Sequence, residues 1–336
     1  MKKTWDTIDL AKFIASILIF TMHCNVLGDY QNAGFFIEVL ARWGVPFFFI
    51  CSSYFLFSKS VNGQISKETI RKYMFRVGML YLVWFIYNLP NVIYQRLYSK
   101  DLTAVSTWLI FIKNSILSST FTGSWYLASS IFSAYFVYLL SKKLKTKTIL
   151  LITSVFYILC VLTSAYRGAL PSRWDEVLHF LCFPLNIFNG CFYFALGKLA
   201  VENQSAILRV FTKKRALICF VVFYAFFAAE LYFTDRYGII DSTDVAFSTA
   251  AIALALFLYC IQTSRSFKNA LLMRKLSTII YCCQGNVLLV NGFCKKILGI
   301  PSVIAYAISA VIVAVICAAV VYIQKKKNWK WSKYLT

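Results

Sequence analysis

Residues 9–24 read D-L-A-K-F-I-A-S-I-L-I-F-T-M-H-C. The run is apolar enough for a membrane helix, which needs about 20 mainly apolar residues. Yet it holds an acid, a lysine and one of only two histidines in the chain. Asp9 and Lys12 stand three apart, so on a helix they share a face and can pair. Lys12 and His23 are separated by about three turns at ~3.6 residues per turn, so both point the same way, about 16 Å apart along the axis. Ionisable groups inside a bilayer are costly and face a polar cavity or a partner. Two readings are open. Either Lys12 and His23 mark a polar line through the membrane, or Lys12 snorkels to one interface and His23 is hydrogen-bonded at the other.

The surrounding sequence is of the same kind. Of 336 residues, 60% are hydrophobic and 14% charged, with a mean hydropathy of +0.68. That excludes an ordinary soluble domain and predicts an all-α, polytopic integral membrane protein. Ten spans are predicted, at about 8–27, 36–57, 74–94, 124–140, 148–165, 177–197, 215–234, 244–262, 277–293 and 302–323. The run near 105–121, interrupted by Lys113, reads as an interfacial helix in a loop. No stretch between spans is long enough for a soluble domain, so 1–336 reads as one transmembrane domain. The first apolar run is too long for a cleavable leader.

A net charge of +22 would suggest nucleic acid in a soluble protein. Here the basic residues fall in clusters on alternate sides of the predicted spans. Lys2 and Lys3; Lys59, Lys67, Arg71 and Lys72; Lys142, Lys143, Lys145 and Lys147; Lys198, Arg209, Lys213, Lys214 and Arg215; Arg265, Lys268, Arg274 and Lys275; and Lys325, Lys326, Lys327, Lys330 and Lys333 all lie on one side. The opposite loops are poorer in Lys and Arg, and Asp235–Asp244 is net acidic. Positive-inside topology then places both termini in the cytoplasm and leaves no nucleic-acid role. Eleven cysteines show no C-x-x-C pair and read as small buried hydrophobes, with no metal-ligand spacing. No internal repeat is visible, which argues against an inverted-repeat transporter.

Other charged positions stand out. Arg42 precedes a Gly-x-Pro bend in R-W-G-V-P-F-F-F-I-C-S-S-Y-F-L-F, residues 42–57, and reads as a site residue or an interfacial anchor. Arg71, Lys72 and Arg76 cluster where span three leaves the cytoplasm. They suit phosphate binding, although positive-inside topology also accounts for the first two. Glu230 is a possible polar partner on span seven, and His179, beside Asp175 and Glu176, reads as a surface residue. Trp125 and Tyr126 open span four and suit an aromatic belt.

Taken together these pieces resemble the membrane acyltransferase 3 family over nearly the whole chain. Its basic residue, ten residues, then histidine is matched by Lys12 and His23, with Lys where the family usually has Arg. Its R-x-G-V-P-x-F-F-x-x-S-G-Y run is matched from Arg42 to Tyr54, with Ser53 for the usual Gly. Its R-x-x-R pair is matched at Arg76 alone, with Tyr73 at the first position and Arg71 and Lys72 nearby. W-[FY]-L is matched by Trp125, Tyr126 and Leu127, and F-[FY]-x-x-G, slightly shifted, by Phe192 and Tyr193 through Gly197. S-x-x-I-Y-x-x-H appears as Ser277 to Tyr281 and on to Gln284, which replaces His.

The resemblance implies a ten-helix enzyme of a bacterial cytoplasmic membrane that O-acylates a surface polysaccharide or lipid-linked glycan. Acyl-CoA, most simply acetyl-CoA, would be the donor, with no metal. By the same resemblance His23 is general base or acyl carrier, and Lys12 is electrostatic or structural with Asp9 as its partner. Arg42, Arg71, Lys72, Tyr73, Arg76, Trp125, Tyr126, Tyr281 and Gln284 are then substrate-binding candidates. Rival expectations are a transporter or flippase, an acyltransferase with a non-glycan acceptor, and a non-catalytic scaffold.

Overall fold

The computed structural model describes residues 5–30, 33–61, 63–97, 100–101, 103–263, 265–326 and 332–336. Lys2, Lys3, Lys327 and Lys330 of the topology argument lie outside them, as do the side chains of Arg96 and Lys333. The described chain is all-helical, apart from one isolated bridge between Val61 and Gln64. In order the helices are α1 (Asp6–His23), α2 (Ala33–Ala41), α3 (Gly44–Phe57), α4 (Lys67–Tyr87), α5 (Leu89–Val92), α6 (Val105–Leu117), α7 (Ser124–Ser141), α8 (Thr146–Leu162), α9 (Ser172–Phe180), α10 (Asn189–Glu202), α11 (Gln204–Val210), α12 (Lys213–Arg236), α13 (Thr249–Gln262), α14 (Ala270–Lys296) and α15 (Ser302–Lys326). Among the described residues four helical stretches are long and apolar enough to cross a membrane, Ala33–Phe57, α12, α14 and α15, or five with the bent pair α4–α5 taken as one. Helix α1 is shorter, with 18 residues, and carries Asp6, Asp9 and Lys12.

Local chemistry explains the ends and breaks. Ser66 caps α4, its Oγ accepting from Thr69 N–H at 3.1 Å, and Glu68 sits favourably in the first turn. Pro46 lies in the first turn of α3, where its missing N–H costs no helical bond, so it starts a helix instead of kinking one. The bend of 73° between α4 and α5 falls at Asn88, just before Pro90. Asn88 Nδ2 donates to Cys282 O at 2.9 Å while its Oδ1 accepts from Asn286 N at 3.1 Å. In an undisturbed α14 those two backbone groups would bond each other. Asn286 returns the insertion: its Nδ2 donates to Tyr87 O and its Oδ1 accepts from Asn91 N, again a pair four residues apart. Each asparagine thus bonds a pair of backbone groups four residues apart on the other segment. Gly285 permits the approach, because a Cβ there would meet Asn88 Oδ1 at 2.5 Å.

One expected element is corrected. The predicted span 177–197 is not one helix. Helix α9 ends at Phe180, and α10 begins only at Asn189. Pro184 cannot supply a helical N–H, and the intervening backbone is satisfied from elsewhere: Ser118 Oγ donates to Leu185 O, Ile187 N to Leu117 O and Ser129 Oγ to Ile187 O. Lys198, assigned above to a loop, is buried within α10 instead. Its ammonium pairs with Glu202 and donates to Thr146 Oγ1 at 2.8 Å.

Helix α3 forms the centre. Phe47, Phe49, Ile50, Cys51 and Phe57 are fully buried on it, against α10, α13 and α1. Helix α1 packs along α14, and α12 along α13. Trp108, Leu109, Ile110, Ile112 and Ile116 of α6 are exposed, as an interfacial helix requires.

Candidate functional site

At the His23 end of α1 lies a cavity of about 50 Å³, with Ile19, His23, Arg42, Pro46, Trp125, Asn189, Tyr193, Asp244 and Tyr281 among its lining. The structure therefore brings together His23, Arg42, Trp125 and Tyr281 from four separate motifs of the sequence. The His23 side chain is exposed toward this space, faces Arg42 and Asp244, and forms no hydrogen bond among the described residues.

Arg42 is held firmly. Its Nε donates to Thr243 Oγ1 at 2.8 Å, one terminal nitrogen pairs with Asp244, and the other lies 3.6 Å from Glu38. Thr243 in turn bonds the Glu38 carboxylate, and Ser242 Oγ donates to Asp244 at 2.5 Å. Two carboxylates thus balance the guanidinium and fix it as a wall. The net acidity of the 235–244 loop was visible in the sequence, but its partner was not. Glu230 also has a definite role: it accepts from the N–H groups of Phe247 and Ser248 and from Ser248 Oγ, holding the chain that leads into α13.

Below the cavity, Phe48, Tyr126 and Tyr281 meet edge to face at 5.6–5.9 Å between ring centres. Tyr281 donates to Gly123 O at 2.9 Å. Tyr126 shares a 3.0 Å hydrogen bond with Ser52, and the Tyr73 hydroxyl of α4 lies near the same Ser52 and Ser130 without a hydrogen bond to either. Hydroxyl groups therefore run from Tyr73 to the aromatic layer. Gln284 is fully buried and neither carboxamide atom has a partner. It faces Gly123, whose positive φ of 84° favours glycine and where an added Cβ would meet Gln284 Nε2 at 2.8 Å.

The other predicted residues lie toward the opposite end. Lys12 is half-buried, its ammonium 5.9 Å from the Phe55 ring, and makes no ion pair among the described residues. The expected Asp9–Lys12 pair is corrected: Asp9 is buried and accepts from Arg274 Nε at 2.8 Å and from Nη2 at 2.7 Å. A planar guanidinium matches both carboxylate oxygens at once, which an ammonium cannot do. Arg71 and Arg76 are exposed on α4 without an ion pair among the described residues, whereas Lys72 pairs with Glu68 at 2.6 Å. Arg71, Lys72 and Arg76 do not line the His23 cavity. His179 is exposed on α9. Among the described residues no three His, Cys, Asp or Glu side chains are placed to hold a metal ion.

A family profile described as an acyltransferase domain, that of acyltransferase 3, matches residues 5–323, nearly the whole chain. The chain belongs to the acyltransferase 3 family. Both His23 and the Asp9–Arg274 pair lie inside the matched region. Two curated proteins of Enterococcus faecalis, each named amino-acid racemase, are also similar. One is 28% identical over 204 residues, covering 58% of this chain and 28% of the relative. The other is 27% identical over 165 residues, covering 47% of this chain and 22% of the relative. The chain thus spans about a quarter of the length of these two relatives. No solved structure matches the chain.

Proposed function

We propose that this protein is an O-acyltransferase that moves an acetyl group from cytoplasmic acetyl-CoA to a hydroxyl of a surface polysaccharide or lipid-linked glycan outside a bacterial cytoplasmic membrane. In this reading the chain crosses ten times with both termini inside. The observation that carries it is His23, an imidazole without a hydrogen-bond partner on a cavity of about 50 Å³. A neutral imidazole suits removal of a proton from an attacking sugar hydroxyl. The small volume suits a two-carbon acyl group better than a long chain. Lys12, Arg71 and Arg76 lack ion-pair partners among the described residues and suit the donor's phosphates, with Lys72 at the rim. The Tyr73–Ser52–Tyr126 hydroxyls suit the amides of the pantetheine arm. Trp125, Tyr281 and Gln284 would border the thioester, and Arg42 would frame the acceptor side.

The test is the O-acetyl content of the source cell's surface polysaccharide, read by proton NMR. Deletion of the gene removes one acetyl signal; the wild-type gene restores it and His23→Ala at equal membrane abundance does not. No ester change on deletion would falsify the glycan acceptor. The name of the two Enterococcus faecalis relatives favours a second reading, an acceptor that carries an amino acid. Radiolabelled acetate would then appear in a small amino-acid conjugate and not in polysaccharide.

A further inference from the structure

Asn189 opens α10 immediately after the irregular 181–188 segment and lines the cavity with His23. Its backbone is fixed. Asn189 N donates to Asn186 O at 3.2 Å, Gly190 N to Ser129 Oγ at 2.8 Å and Cys191 N to Phe188 O at 3.0 Å. Its side chain is the reverse. The residue is 1% exposed, its acceptor Oδ1 has no hydrogen-bond partner, and its donor Nδ2 makes no hydrogen bond among the described residues. A buried carboxamide without a partner costs folding free energy and calls for an explanation. Of the other polar walls, Arg42 is bound by Asp244, Thr243 and Glu38 and Tyr281 donates to Gly123 O, whereas the Tyr193 hydroxyl, one turn along α10, is buried without a hydrogen-bond partner.

We infer that Asn189 is a catalytic residue, the N–H donor that holds the thioester oxygen during acyl transfer; this rests on the acyltransferase reading above. The acceptor oxygen bonds to the thioester carbonyl carbon, and the hydroxyl proton passes to the His23 imidazole. The carbonyl π pair moves onto oxygen, and that oxyanion accepts from Asn189 Nδ2–H. On collapse the C=O bond re-forms and the C–S bond breaks. The thiolate takes the proton back from His23 and leaves as the free thiol. A donor carried on a fixed backbone beside a small cavity stabilises such charge far more than water does, because little has to reorganise.

The experiment uses the full chain in lipid nanodiscs, with acetyl-CoA and dithioacetyl-CoA as donors and de-esterified envelope polysaccharide from the deletion strain as acceptor. Asn189→Ala and the isosteric Asn189→Asp lower kcat by about 10²–10³-fold, the loss typical of one oxyanion donor, and leave the acetyl-CoA KM nearly unchanged. Sulfur in place of the carbonyl oxygen slows the wild type strongly and Asn189→Ala little. A structural role would not produce that difference. Near-wild-type kcat in both variants, or an equal sulfur effect in wild type and Asn189→Ala, overturns the inference while the reading stands. If the wild type transfers no acetyl group to this acceptor, the reading falls and the inference falls with it.

Discussion

The two ends of α1 hold ionisable residues in similar apolar surroundings but deal with them in opposite ways. At the first end the acids are tied: Asp9 by Arg274, and Asp6 by the Phe267 N–H at 2.8 Å. The base, Lys12, is left without a carboxylate. At the other end the strong base, Arg42, is tied by Glu38 and Asp244, and the imidazole of His23 is left facing a cavity. In each place a complete ion pair fixes the helices, and a neighbour has no charge partner among the described residues. A charge that is balanced within the protein has little left to offer a substrate. The unbalanced neighbours are therefore the functional candidates.

This division can be broken or sharpened by substitution. The largest effect belongs to His23→Ala, which should lower acetyl transfer by about 10²–10⁴-fold, the range for a general base, without shifting the unfolding temperature. A lowered unfolding temperature with matching activity loss would make His23 structural and erase the contrast. Next comes Arg274→Ala, which strands the buried Asp9 carboxylate. Loss of one partner of a buried pair is strongly destabilising, reduced here because Arg274 is half-exposed, and about 2 kcal/mol is expected. Thermal unfolding in nanodiscs would show it, and Asp9→Asn combined with Arg274→Ala should recover part of the loss. Lys12→Gln should do the converse. It should raise the acetyl-CoA KM about tenfold, or about 1.4 kcal/mol, with stability unchanged, and Lys12→Arg should retain function. A Lys12→Gln protein that unfolds early would show that Lys12 is tied after all.

The smallest effect tests a contact beyond the His23 end. Asp29 accepts from Ser302 N at 2.6 Å and Ser302 Oγ at 2.8 Å, holding the start of α15. These bonds favour the ionised form and lower the Asp29 pKa below the usual carboxylate value. A depressed folded-state pKa contributes stability above the unfolded value, about pH 4, and that contribution is lost as pH falls through the lower folded value. Unfolding temperature should therefore decline slightly more steeply below pH 4 in the wild type than in Asp29→Asn. Identical acid profiles would remove Asp29 from the set of tied groups.

The sequence alone determined the helical, membrane character of the chain and the positions of most helices, because hydropathy and spacing are local properties. It also marked His23, Lys12 and Arg42, because a charge in an apolar run is conspicuous wherever it points. Partner choice was not legible. The spacing of Asp9 and Lys12 suggested a pair, but the guanidinium of Arg274, 265 residues away, fits the carboxylate better. The exchange between Asn88 and Asn286 was invisible for the same reason: a lone asparagine in an apolar helix carries no sign of which backbone it will bond. Asn189 stood out least, a polar residue at the edge of an apolar run in a span whose beginning was misplaced. Only the tertiary structure, by closing α1, α3, α10 and α14 around one small space, decided which of these groups found a partner and which were left facing a cavity.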